Sequence, residues 1–148
     1  MKKILFFIVL ILAMTLPPWT SVQALHGEGF YLVKRCPSPN DPNICDILDA
    51  SAPFENLVGG QIVYSRHKFW TNPASFLFES STVKVRLADG SARAPGHIRW
   101  TGDHGLFTIL PGSGSLEGLH AEGRVDVIQF LDNGQMDFLL TGTYHFEP

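Results

Sequence analysis

Basic residues are few and scattered in this chain: 11 lysines and arginines stand against 14 acids, a net charge of −3. After the N-terminal segment the densest basic patch is Lys34-Arg35. That is no footprint for a phosphate backbone or an anionic bilayer, so neither nucleic acid nor a membrane surface is expected as a partner. Long apolar runs are missing too. The one candidate, Ile4 to Leu16, falls short of the roughly 18 to 20 residues that span a bilayer. No later stretch carries the period of a three-turn amphipathic helix, which leaves an all-β reading. Two catalytic signatures are lacking as well. Gly112 to Gly118 has neither the Lys-Ser/Thr ending nor the following helix of a phosphate loop. Gly112-Ser113-Gly114-Ser115-Leu116 misses the second glycine of a nucleophile elbow.

What the N-terminus does have is the build of an export signal. Met1-Lys2-Lys3 is a short basic start, the apolar run follows, and Pro17 and Pro18 end any helix. Val22-Gln23-Ala24 offers the small residues a signal peptidase accepts, so cleavage after Ala24 is expected. The brief two-lysine start is of the bacterial kind and predicts a periplasmic or secreted protein. No cysteine directly follows the cleavage point, where Leu25 stands, which argues against a lipid anchor. Residues 1–24 are then signal peptide and residues 25–148 one domain, with an N-terminal strand and cystine loop over 25–56 and a β-barrel body over 57–148. Losing Lys2 and Lys3 leaves 9 basic residues against 14 acidic ones, a mature net charge of about −5.

Cys36 and Cys45 are the only cysteines, and a turn-rich loop with three prolines lies between them. In an oxidising compartment a structural disulfide is the default. The spacing is not C-x-x-C, and nothing nearby would depress a thiol pKa, so a redox pair is disfavoured.

The remaining sequence reads as strands and turns. Phe30 to Val33 is a short β segment, whereas Asp46 to Asn56 shows no period and reads as a loop with at most one helical turn. Gln61 to Ser65 extends towards Phe69-Trp70, and Ser75 to Leu87 is a long strand candidate ended by Ala88-Asp89-Gly90. Gly96 to Thr101 and Gly105 to Leu110 flank the turn Gly102-Asp103-His104. The last hairpin, Glu122 to Phe130 and Gln135 to Phe146, turns at Asn133-Gly134, a pair that favours type I′. Alternation puts Met136, Phe138, Leu140, Gly142 and Tyr144 on one face, and Asp137, Thr141, Thr143, His145 and Glu147 on the other. On the partner strand Ala121, Gly123, Val125 and Val127 alternate with His120, Glu122, Arg124 and Asp126. Six to eight such strands leave a sandwich or a barrel. Closure removes exposed edges, and no Trp stands between the cysteines as an immunoglobulin sandwich requires. A single closed antiparallel β-barrel of about eight strands is expected, with a disulfide-closed N-terminal loop.

The stretch Pro111-Gly-Ser-Gly-Ser-Leu-Glu-Gly-Leu-His-Ala-Glu-Gly123, followed by Leu140-Thr-Gly-Thr-Tyr144, resembles the glycine motif and closing strand of the allene oxide cyclase-like barrels. That group includes plant dirigent proteins and small bacterial proteins. Gly112, Gly114, Gly118 and Gly123 match its pattern, and the resemblance runs from about Leu57 to Phe146. It implies an eight-stranded barrel whose apolar lumen holds a small hydrophobic molecule. The plant members cyclise an epoxide or guide radical coupling, but none of their catalytic positions matches this chain residue by residue. They also self-associate, so a homo-oligomer stays open. No cofactor is implied. Within the motif, Gly118 and Gly123 are expected to make room for Phe138 and Tyr144 opposite.

Candidate chemistry is sparse. If alternation holds through Ser75 to Leu87, Glu79 faces inward with Leu77, Val83 and Val85, where a carboxylate with a raised pKa could act as general acid or base. A bulge near Ser80-Ser81 would instead turn Glu79 to solvent and Phe76 and Phe78 inward. Tyr64 and Tyr144 could orient a ligand carbonyl, or simply fill core while finding a hydrogen bond. Trp100 shares a face with Ile98, at a barrel wall or mouth, and could stack on a ligand. The six histidines form no H-x-H or H-x-x-x-H pair. His120 and His145 fall on outer faces of neighbouring strands, which chance accounts for, and no metal site is expected. Three functions follow: an exported barrel binding a small hydrophobic ligand, a cyclase or isomerase of the allene oxide cyclase kind, or a non-catalytic structural module with a packed lumen.

Overall fold

The computed structural model describes residues 27–41, 43–65, 81–101 and 103–148. Eight strands run β1 Glu28–Cys36, β2 Ile44–Ala50, β3 Gln61–Ser65, β4 Ser81–Arg86, β5 Arg93–Thr101, β6 His104–Ile109, β7 Leu119–Phe130 and β8 Met136–Phe146. Each pairs antiparallel with its neighbour in sequence, and β1 pairs with β8, so the sheet closes into a barrel. The closing ladder is long, from Glu28 opposite Tyr144 to Cys36 opposite Met136. No α-helix occurs among the described residues. The expected all-β closed barrel is therefore what the chain forms. The signal segment and Glu79 lie outside the described residues, as does the part of the predicted strand before Ser81.

Two-residue alternation builds the interior. Leu32 on β1, Ile62 on β3, Val83 and Val85 on β4, Ile98 on β5, Phe107 on β6, Val125 on β7 and Leu140 on β8 are all buried. Their strand neighbours point to solvent, the ordinary two-faced pattern of a closed antiparallel sheet. One end is closed by two short 3-10 turns, Glu55–Leu57 and Gly114–Leu116, which bury Leu57 and Leu116. Phe54 joins them and packs edge-to-face on Phe30 and Tyr144, at centroid separations of 5.0 and 4.9 Å.

Ile44 to Ala50 is a strand where the sequence read a loop from Asp46. The ladder to β1 shows the cause: Asp49 stands opposite Val33 but Ile47 opposite Lys34, so Leu48 is an extra residue on β2. A bulge of this kind flips the phase, which is why the buried positions run Cys45, Ile47 and then Ala50 with Leu48 exposed. Both β1 and β2 are staves of the barrel, and the Cys36–Cys45 disulfide closes the connection between them. A second bulge, at Ile128, separates Val127 opposite Phe138 from Gln129 opposite Asp137.

The glycine motif works differently from the expectation. Gly123 lies directly opposite Gly142, while Tyr144 faces Ala121 and Phe138 faces Val127. A Cβ on Gly142 would stand 2.0 Å from the Glu122 carbonyl, so this pair permits close backbone approach. Gly112 presses the corner onto β5, where Ser113 N–H donates to the Arg93 carbonyl at 2.8 Å, and Gly114 packs on Ser91 and Ala92 just before that strand. The β7–β8 turn also departs from type I′. Its N–H from Gly134 reaches the Leu131 carbonyl at 3.0 Å, which makes Asp132 and Asn133 central, and Gly134 follows at φ +83°. That is the three-residue hairpin geometry.

Candidate functional site

The end of the lumen away from the two 3-10 turns holds a lysine. On β1 the inward parity Phe30, Leu32, Lys34, Cys36 carries Lys34 into the barrel at 2% exposure. Its Nζ donates a hydrogen bond to the Tyr64 hydroxyl from β3. The same amine lies 4.8 Å from the centroid of the Tyr64 ring and 5.2 Å from that of Phe138 on β8. Cys36, Ile98, Trp100 and Val125 complete the walls. No carboxylate contacts Lys34 among the described residues; its hydrogen-bond partner there is a neutral phenol.

Burial governs the electrostatics here. Removing the ammonium from water disfavours its charged form and brings the Lys34 pKa down to about 7. The same burial pushes the Tyr64 phenol up from its ordinary value. Near neutral pH the pair therefore offers an amine that both takes and gives a proton, beside a phenol that keeps its own. Arg35, the next residue, points outward and makes a bidentate pair with Asp137, at 2.7 and 2.9 Å. Adjacent basic residues thus have opposite fates, set only by strand parity.

The predicted site residues separate. Tyr64 and Trp100 line the same end of the lumen, and Trp100 sits 6.1 Å from Phe138. Tyr144 is elsewhere, six positions along β8 from Phe138, or roughly 20 Å at the rise of a strand. It packs in the Phe30–Phe54 cluster and donates to the Glu28 carboxylate at 2.6 Å. Sequence reading missed Lys34, although its parity with Phe30, Leu32 and Cys36 marks it as inward. Treating Lys34-Arg35 as one basic patch hid that signal.

Between the two ends the lumen is apolar, lined by residues including Leu32, Ile62, Val85, Ile98, Phe107 and Leu140. A cavity of about 30 Å³ remains there, and one of about 10 Å³ beside Lys34. Each is the size of a water or two. No family model, curated protein or solved structure matches the chain.

Proposed function

We propose that this is an exported barrel that holds a small hydrophobic molecule in its lumen, anchored through one hydrogen-bonding group on the Lys34–Tyr64 pair. The observation that carries the proposal is the buried amine itself. Placing an amine in an apolar interior is costly, and a carboxylate would be the economical partner for stability alone. A few convergent polar groups at one end of an apolar lumen are what orients a ligand carbonyl or hydroxyl. The eight-stranded closed architecture agrees with the resemblance to allene oxide cyclase-like barrels. A cyclase or isomerase of that kind is the catalytic form of the same reading, with Lys34 as its acid–base group.

The cavity volumes favour a second reading, a structural module whose lumen is filled by its own side chains. Ligand pockets usually measure about 300 Å³ or more, so a lumen ligand must displace side chains here. Native mass spectrometry of protein purified from its export compartment, beside Lys34→Met, separates the two. A small-molecule adduct on the wild type that Lys34→Met loses supports the ligand barrel. Absence of any adduct, together with no uptake of the apolar fluorophore N-phenyl-1-naphthylamine, would leave the packed module.

Export draws on the N-terminal sequence and on the disulfide, which fits an oxidising compartment. Among the described residues no helix is long and apolar enough to cross a membrane. Intact mass of the fractionated protein tests it, with loss of residues 1–24 as the expected result.

A further inference from the structure

The outer wall of β7 and β8 carries a second constellation, unrelated to the lumen. His120 stands directly opposite His145 in the ladder, with the rings parallel to within 4° and their centroids 5.0 Å apart. Glu147 lies two positions beyond His145. It is fixed by its backbone N–H, which donates to the Gly118 carbonyl at 2.8 Å. Gly118 is needed for that approach, because it takes φ +69° and a Cβ there would stand 2.2 Å from the Glu147 carbonyl. The Glu147 carboxylate comes within 3.2 Å of His120 Nε2 and 3.9 Å of His145 Nε2. One ligand atom from each residue falls within 4.8 Å of the others.

One atom shows that protein contacts alone do not complete this cluster. His120 Nε2 is shut off from solvent and has no hydrogen-bond partner. The carboxylate oxygen at 3.2 Å is near enough for an ion pair but off the line a hydrogen bond requires. Two ligand atoms on a tetrahedral zinc ion, with bonds of about 2.0 to 2.1 Å, are separated by roughly 3.3 Å. The His120–Glu147 distance already matches that, while His145 Nε2 stands 3.9 Å from the carboxylate.

We propose that His120, His145 and Glu147 form a binding site for a divalent transition ion of the zinc class. Two imidazoles and one carboxylate suit zinc and leave a fourth position open. A surface groove of about 210 Å³, bordered by Gly27, Thr108, Glu122 and Thr143, lies against the two histidines. Water or an anionic group in that groove completes the coordination, and Glu122 adds negative charge that favours the cation. The absence of an H-x-H motif conceals the site from sequence, since the two nitrogens come from different strands.

The test is calorimetric titration of ZnCl₂ into full-length metal-stripped protein. Parallel titrations use His120→Ala, His145→Ala and Glu147→Gln, with exposed His97→Ala on β5 as control. One ion per chain is expected, with each site variant weakening binding by about tenfold or more and the control unchanged. Zinc should also raise the melting midpoint of wild type and not of the histidine variants, since an ion bound only to the native state stabilises it. Unchanged melting of the metal-free variants verifies their fold. No zinc uptake by wild type, or uptake that His120→Ala and His145→Ala leave intact, overturns the proposal.

Discussion

Lys34 donates a hydrogen bond to the Tyr64 hydroxyl inside a barrel whose lumen is otherwise lined by apolar side chains among the described residues. The contact joins β1 to β3 across the lumen, over β2, and links two groups that burial pushes towards their neutral forms. The pH dependence of stability follows from this pair.

Stability should rise with pH between about 7 and 10. Native Lys34 releases its proton near 7, while the unfolded chain keeps it until about 10.5. In that window the unfolded state binds more protons, so raising the pH favours folding. Above about 10 the sign reverses for Tyr64: the unfolded phenol ionises while the native one, with its raised pKa, does not. Urea denaturation of wild type and Lys34→Met at pH 7, 8 and 9 checks the first part. Lys34→Met should be the more stable at pH 7, with its lead shrinking by at most about 1.4 kcal/mol per pH unit. A constant lead would refute the assignment.

The Arg35–Asp137 pair should respond unequally to its two deletions. The Asp137 side chain is 7% exposed and that of Arg35 is 36% exposed. Arg35→Ala leaves the nearly buried Asp137 carboxylate without its partner and should be the more destabilising of the two. Asp137→Ala leaves a guanidinium that can turn to water and should cost less. Chemical denaturation at neutral pH measures both; equal losses would contradict the burial difference.

Two glycines that look alike in sequence should behave differently. Gly134→Ala meets no atom within 4 Å and suffers only from φ +83°, a cost of about 1 kcal/mol. Gly142→Ala drives a methyl to 2.0 Å of the Glu122 carbonyl and must part β7 from β8. It should cost about 3 kcal/mol or more, or abolish folding. Melting curves rank the two.

Reduction of the disulfide should lower stability by about 2 to 3 kcal/mol, the loop-closure contribution of a short bridge. Cys36 and Cys45 are 0% and 1% exposed, so dithiothreitol should act on the native protein only through unfolding. Thiol release timed against denaturant concentration reads this directly.

Much of the wall was legible along the chain. The parity of Met136, Phe138 and Leu140 placed them inward, and the same rule put His120 and His145 outside. Parity failed at Leu48, where one inserted residue shifts the phase and only the partner strand reveals it. It holds at Lys34, which shares the inward parity of Leu32 and Cys36 although the sequence reading assigned it no face. Asn133-Gly134 marked a turn correctly, yet which residues became central depended on where the β7–β8 register fell.

The sequence by itself determined which residues face the lumen on an unbroken strand, where the chain turns, and that the two cysteines were available to pair. These are local properties, because side chains alternate every residue and glycine supplies conformations other residues resist. Only the tertiary structure decided that β1 closes on β8, that Lys34 meets Tyr64, and that Glu147 returns to His120 beside Gly118. Those contacts depend on register between strands far apart in sequence, set by the packing of the whole barrel and by bulges that shift one strand against the next.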